Sequence, residues 1–511
     1  MSSLVVAAGQ VRSLSPAAGD SMLIEDGRVS AIGSSEGLVG EDRIDFPGAT
    51  IVPALQDHHF HPIGYTRAVT GLTLKEVPDF AALSQVIADE DRRLPAGAAL
   101  IGIRLDDESL AEGRLPDRLL LDRAAPGRPV LLYRYCGHIA IASTTALEQA
   151  GLGTGVQDPE GGAFDRDGSG APNGILREEA IGRVSGPLSE MVPPIEPPAV
   201  AAALGGLTGL GLTRLTAIVS AGAPLWCGGS NEVDLLVEAA AGLNLKLDVL
   251  VVASTPEELG AAAQRLDQAG PNIRFAGWKE FADGGLGGRT AAMHEAFADA
   301  PGNRGILRLY LDRAEQMAEV ALSMGGAVAI HAIGDLANDE VVSLFRRLLR
   351  RGADPAGLRI EHASVLTAEA IKQCGELGIT VSVQPAFLAS ETAWLERRVG
   401  PDRLHNTYPF ASLLEQRAAL VGGSDCPVEP PNPWWGMAAA RDRQGLADEQ
   451  SLDAAQAMRL FAEPITPGSE DFLVVDRDPL AVSPGDLADT RVMATFVGGR
   501  LAEAPPELPF R

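Results

Sequence analysis

The 511 residues carry 42 Lys and Arg against 68 Asp and Glu, a formal net charge of −26. Nucleic-acid binding leans on clustered cations, and with no long basic stripe a polyanion partner is excluded; the acidity reads as solubility. A hydrophobic fraction of 46% and a charged fraction of 22% fit a globular chain with room for one large and one smaller domain.

The first residues, MSSLVVAAGQVRSLS, place no basic segment ahead of a hydrophobic run, so no signal peptide is read there. No apolar stretch reaches the ~20 residues of a membrane span. Cys136, Cys227, Cys374 and Cys426 are scattered without any CxxC, which suits a reducing compartment better than a disulfide framework. A cytoplasmic protein is expected.

In chain order, residues 1–52 read as short strands, with Asp26-Gly27 as a tight hairpin turn. Residues 466–511 have the same texture, with a Gly498-Gly499 turn, so the two ends are expected to pair into one composite β-sandwich. Between them, residues 53–465 alternate apolar strands with amphipathic helices. Candidate strands are 50–57, 212–219, 245–252, 274–281, 327–332, 359–364, 380–385 and 418–425. Eight is the number a closed parallel barrel needs, so the predicted fold class is α/β, a TIM-like (β/α)8 barrel. A helix over 339–351 is supported by Val341, Leu344, Phe345 and Leu348 on one stripe and Gly352 after its end. The long stretch at about 62–211 is expected to be an insertion capping the barrel mouth.

The eight histidines carry the chemistry. His59 and His61 lie two apart after the first candidate strand, so in extended backbone both imidazoles can reach one ion. His58 has the opposite parity and is expected behind them or in a structural role. His331 and His362 close two consecutive strands. A lone buried histidine is more often a core residue, but two at the C-terminal ends of adjacent barrel strands sit where barrel active sites lie. Asp425 ends the last candidate strand. A carboxylate there needs a metal, a cation or a proton to move, and the alternative of a helix N-cap is opposed by Pro427 and Pro430. Lys279 reads either as a snorkelling surface lysine or, combined with CO2 as a carbamate, as a carboxylate able to bridge two ions.

The segments DHHFH, KEFADGGLGGRTA, HAIGD, RIEHA and GSDCPVEPPNP, in that order, resemble the strand motifs of the amidohydrolase superfamily. They are most similar to its branch of N-substituted formamide deformylase-like and exoenzyme-type proteins, over nearly the whole chain. Ala54 stands where that family has glycine, and Glu280 where it has an apolar residue. The resemblance implies that His59 and His61 hold the more buried of one or two divalent ions (zinc, or manganese or iron). It further implies that a carbamate on Lys279 bridges, that His331 and His362 hold the second ion, and that Asp425 is both ligand and proton shuttle. His138 and Arg289 become candidates for substrate contact, and a homodimer is the assembly it suggests.

The expected activity is hydrolysis of a C–N bond in an amide, formamide or cyclic amide, other than a peptide bond, by attack of metal-bound hydroxide on a small-molecule substrate. The other readings are a non-hydrolytic metal enzyme (isomerase, lyase or decarboxylase) on the same barrel, and an inactive binding protein. Substrate identity is not encoded in the metal core. If Trp434, Trp435, Phe387 and Trp394 line the pocket, the substrate carries an apolar or aromatic group.

Overall fold

The computed structural model describes residues 3–222, 225 and 231–502. Cys227 and the last part of the predicted sandwich segment, 503–511, lie outside them.

Eight parallel strands form the central sheet: β1 (Leu55–Phe60), β2 (Leu212–Ser220), β3 (Lys246–Val252), β4 (Ile273–Phe281), β5 (Ala327–Ala332), β6 (Leu358–His362), β7 (Thr380–Val383) and β8 (Ala419–Gly422). Each pairs with the next in sequence. Beyond the end of β8 the amide of Asp425 donates to the carbonyl of His59 at 2.8 Å, and that of His61 to Cys426 at 2.9 Å, bringing the last loop against the first strand. The strands read as almost unbroken apolar runs because both faces are covered. Val219, Val251, Val328 and Ile330 belong to the large core shared with the helices, whereas Ile218, Leu250 and Ala329 form a small cluster of their own. Lys279 is in register with Val252 and Ala329, which sets it on that second, inner face.

The expected strands 359–364 and 380–385 end two residues early, at His362 and Val383, and two larger departures bear on the site. Thr50–Pro53 belongs to the terminal sandwich, where Ile51 is opposite Val474, and the barrel strand begins only at Leu55. Pro53 has no N–H with which to carry a ladder onward, so the chain changes sheets there. β8 ends at Gly422, and Asp425 sits on the loop beyond it. That loop passes so close to β1 that a Cβ on Gly423 would lie 2.6 Å from the His59 nitrogen, which only glycine tolerates.

The helix predicted at 339–351 spans Asp335–Arg350, and its apolar stripe is buried. The two chain ends build a four-stranded and a five-stranded sheet, and in the latter Phe472–Val475 lies between Thr50–Pro53 and Val492–Val497. The stretch after β1 forms a six-stranded sheet running from Leu72–Thr73 to Pro172–Glu178, with two apolar clusters of its own. Among the described residues no helix is long and apolar enough to cross a membrane.

Candidate metal centre

His59 and His61 leave the end of β1 on the same side, as residues two apart in extended chain do. Their Nε2 atoms approach Asp425 Oδ1 to 3.2 and 3.0 Å. One ligand atom from each of these three buried residues lies within 4.8 Å of the others. His362 continues the group, its ring centroid 4.7 Å from that of His59, and His331 stands 4.5 Å beyond it. His138, from the insertion, follows at 5.0 Å from His331. Five of the eight histidines therefore form one continuous row at the C-terminal end of the barrel.

Buried carboxylates that sequence reasoning did not single out hold this row in place. Glu361 Oε2 accepts from His59 Nδ1 at 2.6 Å, which leaves Nε2 as the lone-pair nitrogen facing Asp425. Burial opposes charge on Glu361, but Arg359 and His59 outweigh it and hold its carboxyl well below the usual range. His362 has a left-handed φ of 73°, a costly conformation outside glycine that marks the point where β6 ends and the chain turns. Asp57 accepts from the amides of His59 and Ser424, each at 3.0 Å, and from the Ser424 hydroxyl at 2.5 Å, tying β1 to the last loop. Asp283 lies 3.3 Å from His331 Nε2 and receives the amides of Ala292, Ile333 and Gly334. His331 Nε2 donates to the Gly284 carbonyl at 3.2 Å, leaving its Nδ1 as lone-pair donor. Glu361 and Asp283 each stand in a motif already noted, RIEHA and ADGG. Nothing in those strings separates a supporting carboxylate from an ordinary one.

The electrostatics suit a cation. Burial, then neighbouring charges, push His331 and His362 well below the usual histidine range, so both stay neutral. Burial lowers His61 as well. At His59 burial is overcome by the Asp425 and Glu361 carboxylates, which raise it. Asp425 is held well below its ordinary value because His59 and His61 outweigh its desolvation. Asp425 Oδ1 and His362 Nδ1 are buried without any hydrogen bond of good geometry. The two imidazole nitrogens and Asp425 Oδ1 converge on one point, 3.2 and 3.0 Å apart. These residues fit a divalent ion.

Lys279 is fully buried on β4, its Nζ donating to the Glu280 carbonyl at 3.1 Å and lying 3.8 Å from the centre of the Phe281 ring. Burial lowers its ammonium to about 8. It does not line the open cavity, which has a volume of about 500 Å3 and is walled by His59, His61, His138, His331, His362 and Asp425. Arg289 is not in that wall either; its guanidinium is taken by Asp299 at 2.7 Å. The arginines that do face the cavity are Arg313 and Arg308, the latter paired with Glu178, which also holds His138 Nδ1 at 2.9 Å. His58 lies behind the site, its carbonyl on Arg359. Of the four aromatic residues expected at the pocket, only Phe387 is there, while Trp394 and Trp434 are core and Trp435 is on the surface.

The model of the amidohydrolase family matches residues 42–502. The chain belongs to the amidohydrolase family. It is 29% identical over 516 aligned positions to a Bacillus subtilis protein that carries the provisional name amidohydrolase YtcJ, covering 94% of this chain and 95% of that one. It is 25% identical to an N-substituted formamide deformylase of Arthrobacter pascens, covering 94% of both. A solved structure of an uncharacterized metal-dependent hydrolase from Pyrococcus horikoshii superposes with a TM-score of 0.72 at 27% identity, over 95% of this chain and 99% of that one. This family member is accordingly a hydrolase on a TIM-like barrel, and its His59–His61–Asp425 triangle is a group of ligand atoms close enough together to hold one metal ion.

Proposed function

We propose that the chain hydrolyses a C–N bond of an amide, formamide or cyclic amide other than a peptide bond, with His59, His61, His331, His362 and Asp425 as the residues that hold metal. A divalent ion bound there supplies a Lewis acid that activates water and polarises a carbonyl. The observation that carries this reading is the position of Asp425, one oxygen within 3.2 Å of two imidazoles and the residue itself on the cavity wall. From there its carboxylate takes a proton from the attacking water and returns it to the departing nitrogen, a general base and then a general acid. His59 and His61 hold it below the usual carboxylate range, so it is ionised at neutral pH, the form a base needs.

Lys279, as a carbamate, completes the set. CO2 adds only to the free amine, and a fully buried lysine lowered to about 8 reaches that form far more readily than an exposed one. The relative named for formamide deformylation supports N-formyl and N-acyl amines as the first substrates to screen. In that screen Asp425→Asn is expected to stay folded and to retain metal, with kcat lowered roughly 10²–10⁴-fold. Turnover like that of the unaltered chain in a metal-loaded Asp425→Asn variant would remove the proposed role.

A further inference from the structure

A second, smaller cavity of about 20 Å3 opens beside the metal centre, sharing His138, His362 and Asp425 with the large one. Besides Asp425, two carboxylates line it, Glu391 and Glu429, 6% and 7% exposed. Other buried acids are compensated by a cationic partner or by backbone amides, Asp106 by Lys75 and Asp425 by His59 and His61 among them. Glu178, Glu361 and Asp299 have arginine partners, and Asp57, Asp283 and Glu232 each receive two or more backbone amides. Glu391 and Glu429 have neither among the described residues. Glu391 accepts from the Tyr408 hydroxyl at 2.6 Å, whereas the Ser390 hydroxyl beside Glu429 donates to the Phe387 carbonyl at 3.1 Å. Glu429 Oε1 is buried in the pocket wall with no hydrogen-bond partner.

The nearby cations are engaged elsewhere. Lys75 is on Asp106, Arg134 on Asp107, Arg398 on Glu108 and Asp299, and Arg104 reaches the Val428 carbonyl. Two buried carboxylates without an ion-pair partner are expensive to charge, and here they face a space open to the substrate chamber. That space holds one water-sized group, for which ~10–15 Å3 is enough. Tyr135, Phe387 and Tyr408 add aromatic surface, which also favours a cation. Burial drives Glu391 up to about 8 and raises Glu429, outweighing the longer-range charges of Arg398 and Arg134 on the first and of Lys75 and Arg104 on the second.

We propose that the Glu391–Glu429 pocket is a subsite for a primary ammonium group, and, resting on the hydrolytic reading above, that the substrate carries such a group close to its scissile bond. An ammonium is small enough, brings three donors for Glu429 Oε1 and its neighbours, and supplies the missing charge. Guanidinium and quaternary ammonium groups exceed the space.

The test titrates the full chain with methylammonium chloride, with potassium and tetramethylammonium chlorides as controls, and reads binding by calorimetry and thermal shift. Methylammonium alone is expected to bind, and Glu429→Gln and Glu391→Gln are each expected to weaken it roughly tenfold or more, the size of a lost charge-assisted hydrogen bond. An equal response to all three salts, or an unchanged affinity in both variants, would show that the pocket holds only water and would overturn the subsite. In a second arm, N-acyl amines are compared in pairs ending in –NH3+ or –CH3. The ammonium member should win through KM, and Glu429→Gln should erase its advantage; a persistent advantage would overturn the assignment. Methylammonium binding without hydrolysis of any pair would leave the subsite standing and remove the hydrolytic reading instead.

Discussion

His59 donates through Nδ1 to Glu361 at 2.6 Å, a contact between two fully buried side chains 302 positions apart. The acid fixes which imidazole nitrogen keeps its lone pair, and the strand that carries Glu361 also carries His362. Metal affinity therefore depends on a residue that touches no metal. Glu361→Gln is expected to lower affinity for zinc or manganese roughly 10–100-fold while leaving the fold intact. Competition against a chelator measures it, and an affinity equal to that of the unaltered chain would mean that His59 needs no such orientation.

A bound ion stabilises whatever conformation binds it. Stripping the protein with a chelator and then adding metal to about 100 times its Kd should contribute ~2.7 kcal/mol, a rise of roughly 2–3 °C in Tm for a chain of this size. Differential scanning calorimetry of stripped and reloaded protein reads this directly. No shift for zinc, manganese or iron would argue against a metal centre in the folded chain.

Arg398 is fully buried and donates to the carbonyls of Leu286 and Gly287 while pairing with Glu108 and Asp299. It joins the loop after β4, a wall of the small cavity, to the insertion. Arg398→Leu leaves the Leu286 and Gly287 carbonyls without this donor, while Asp299 and Glu108 keep Arg289 and Arg397, and is expected to cost about 1–3 kcal/mol. The urea midpoint should fall accordingly; a midpoint within error of the unaltered chain would show that the network is dispensable.

Glu232 is buried, accepts the amides of Ser220 and Leu225, and is raised by desolvation from 4.5 to about 7. The folded state thus holds this proton more tightly than the unfolded one. Its effect on stability is most favourable below the ordinary carboxylate range and is lost as pH rises from about 4.5 through about 7. Glu232→Gln should flatten this part of the profile, seen as a smaller difference between unfolding midpoints at about pH 5 and about pH 8. A difference as large as in the unaltered chain would assign the pH dependence to other groups.

The sequence by itself determined the barrel and its order of strands, because apolar period and strand-end chemistry are local properties. His59, His61, His331, His362 and Asp425 were legible for the same reason: each stands at or just past a strand end, and a parallel barrel brings all such ends to one rim. Only the tertiary structure decided which carboxylates support them. Glu361, Asp57 and Asp283 look like any acids in the chain until folding buries them against histidines and amides from distant segments. It likewise moved Arg289 onto Asp299 and gave the cavity Arg308, since the partners of a long charged side chain depend on what packs around it. The small Glu391–Glu429 pocket is of that second kind, for a missing counter-charge exists only once burial has removed water from both acids.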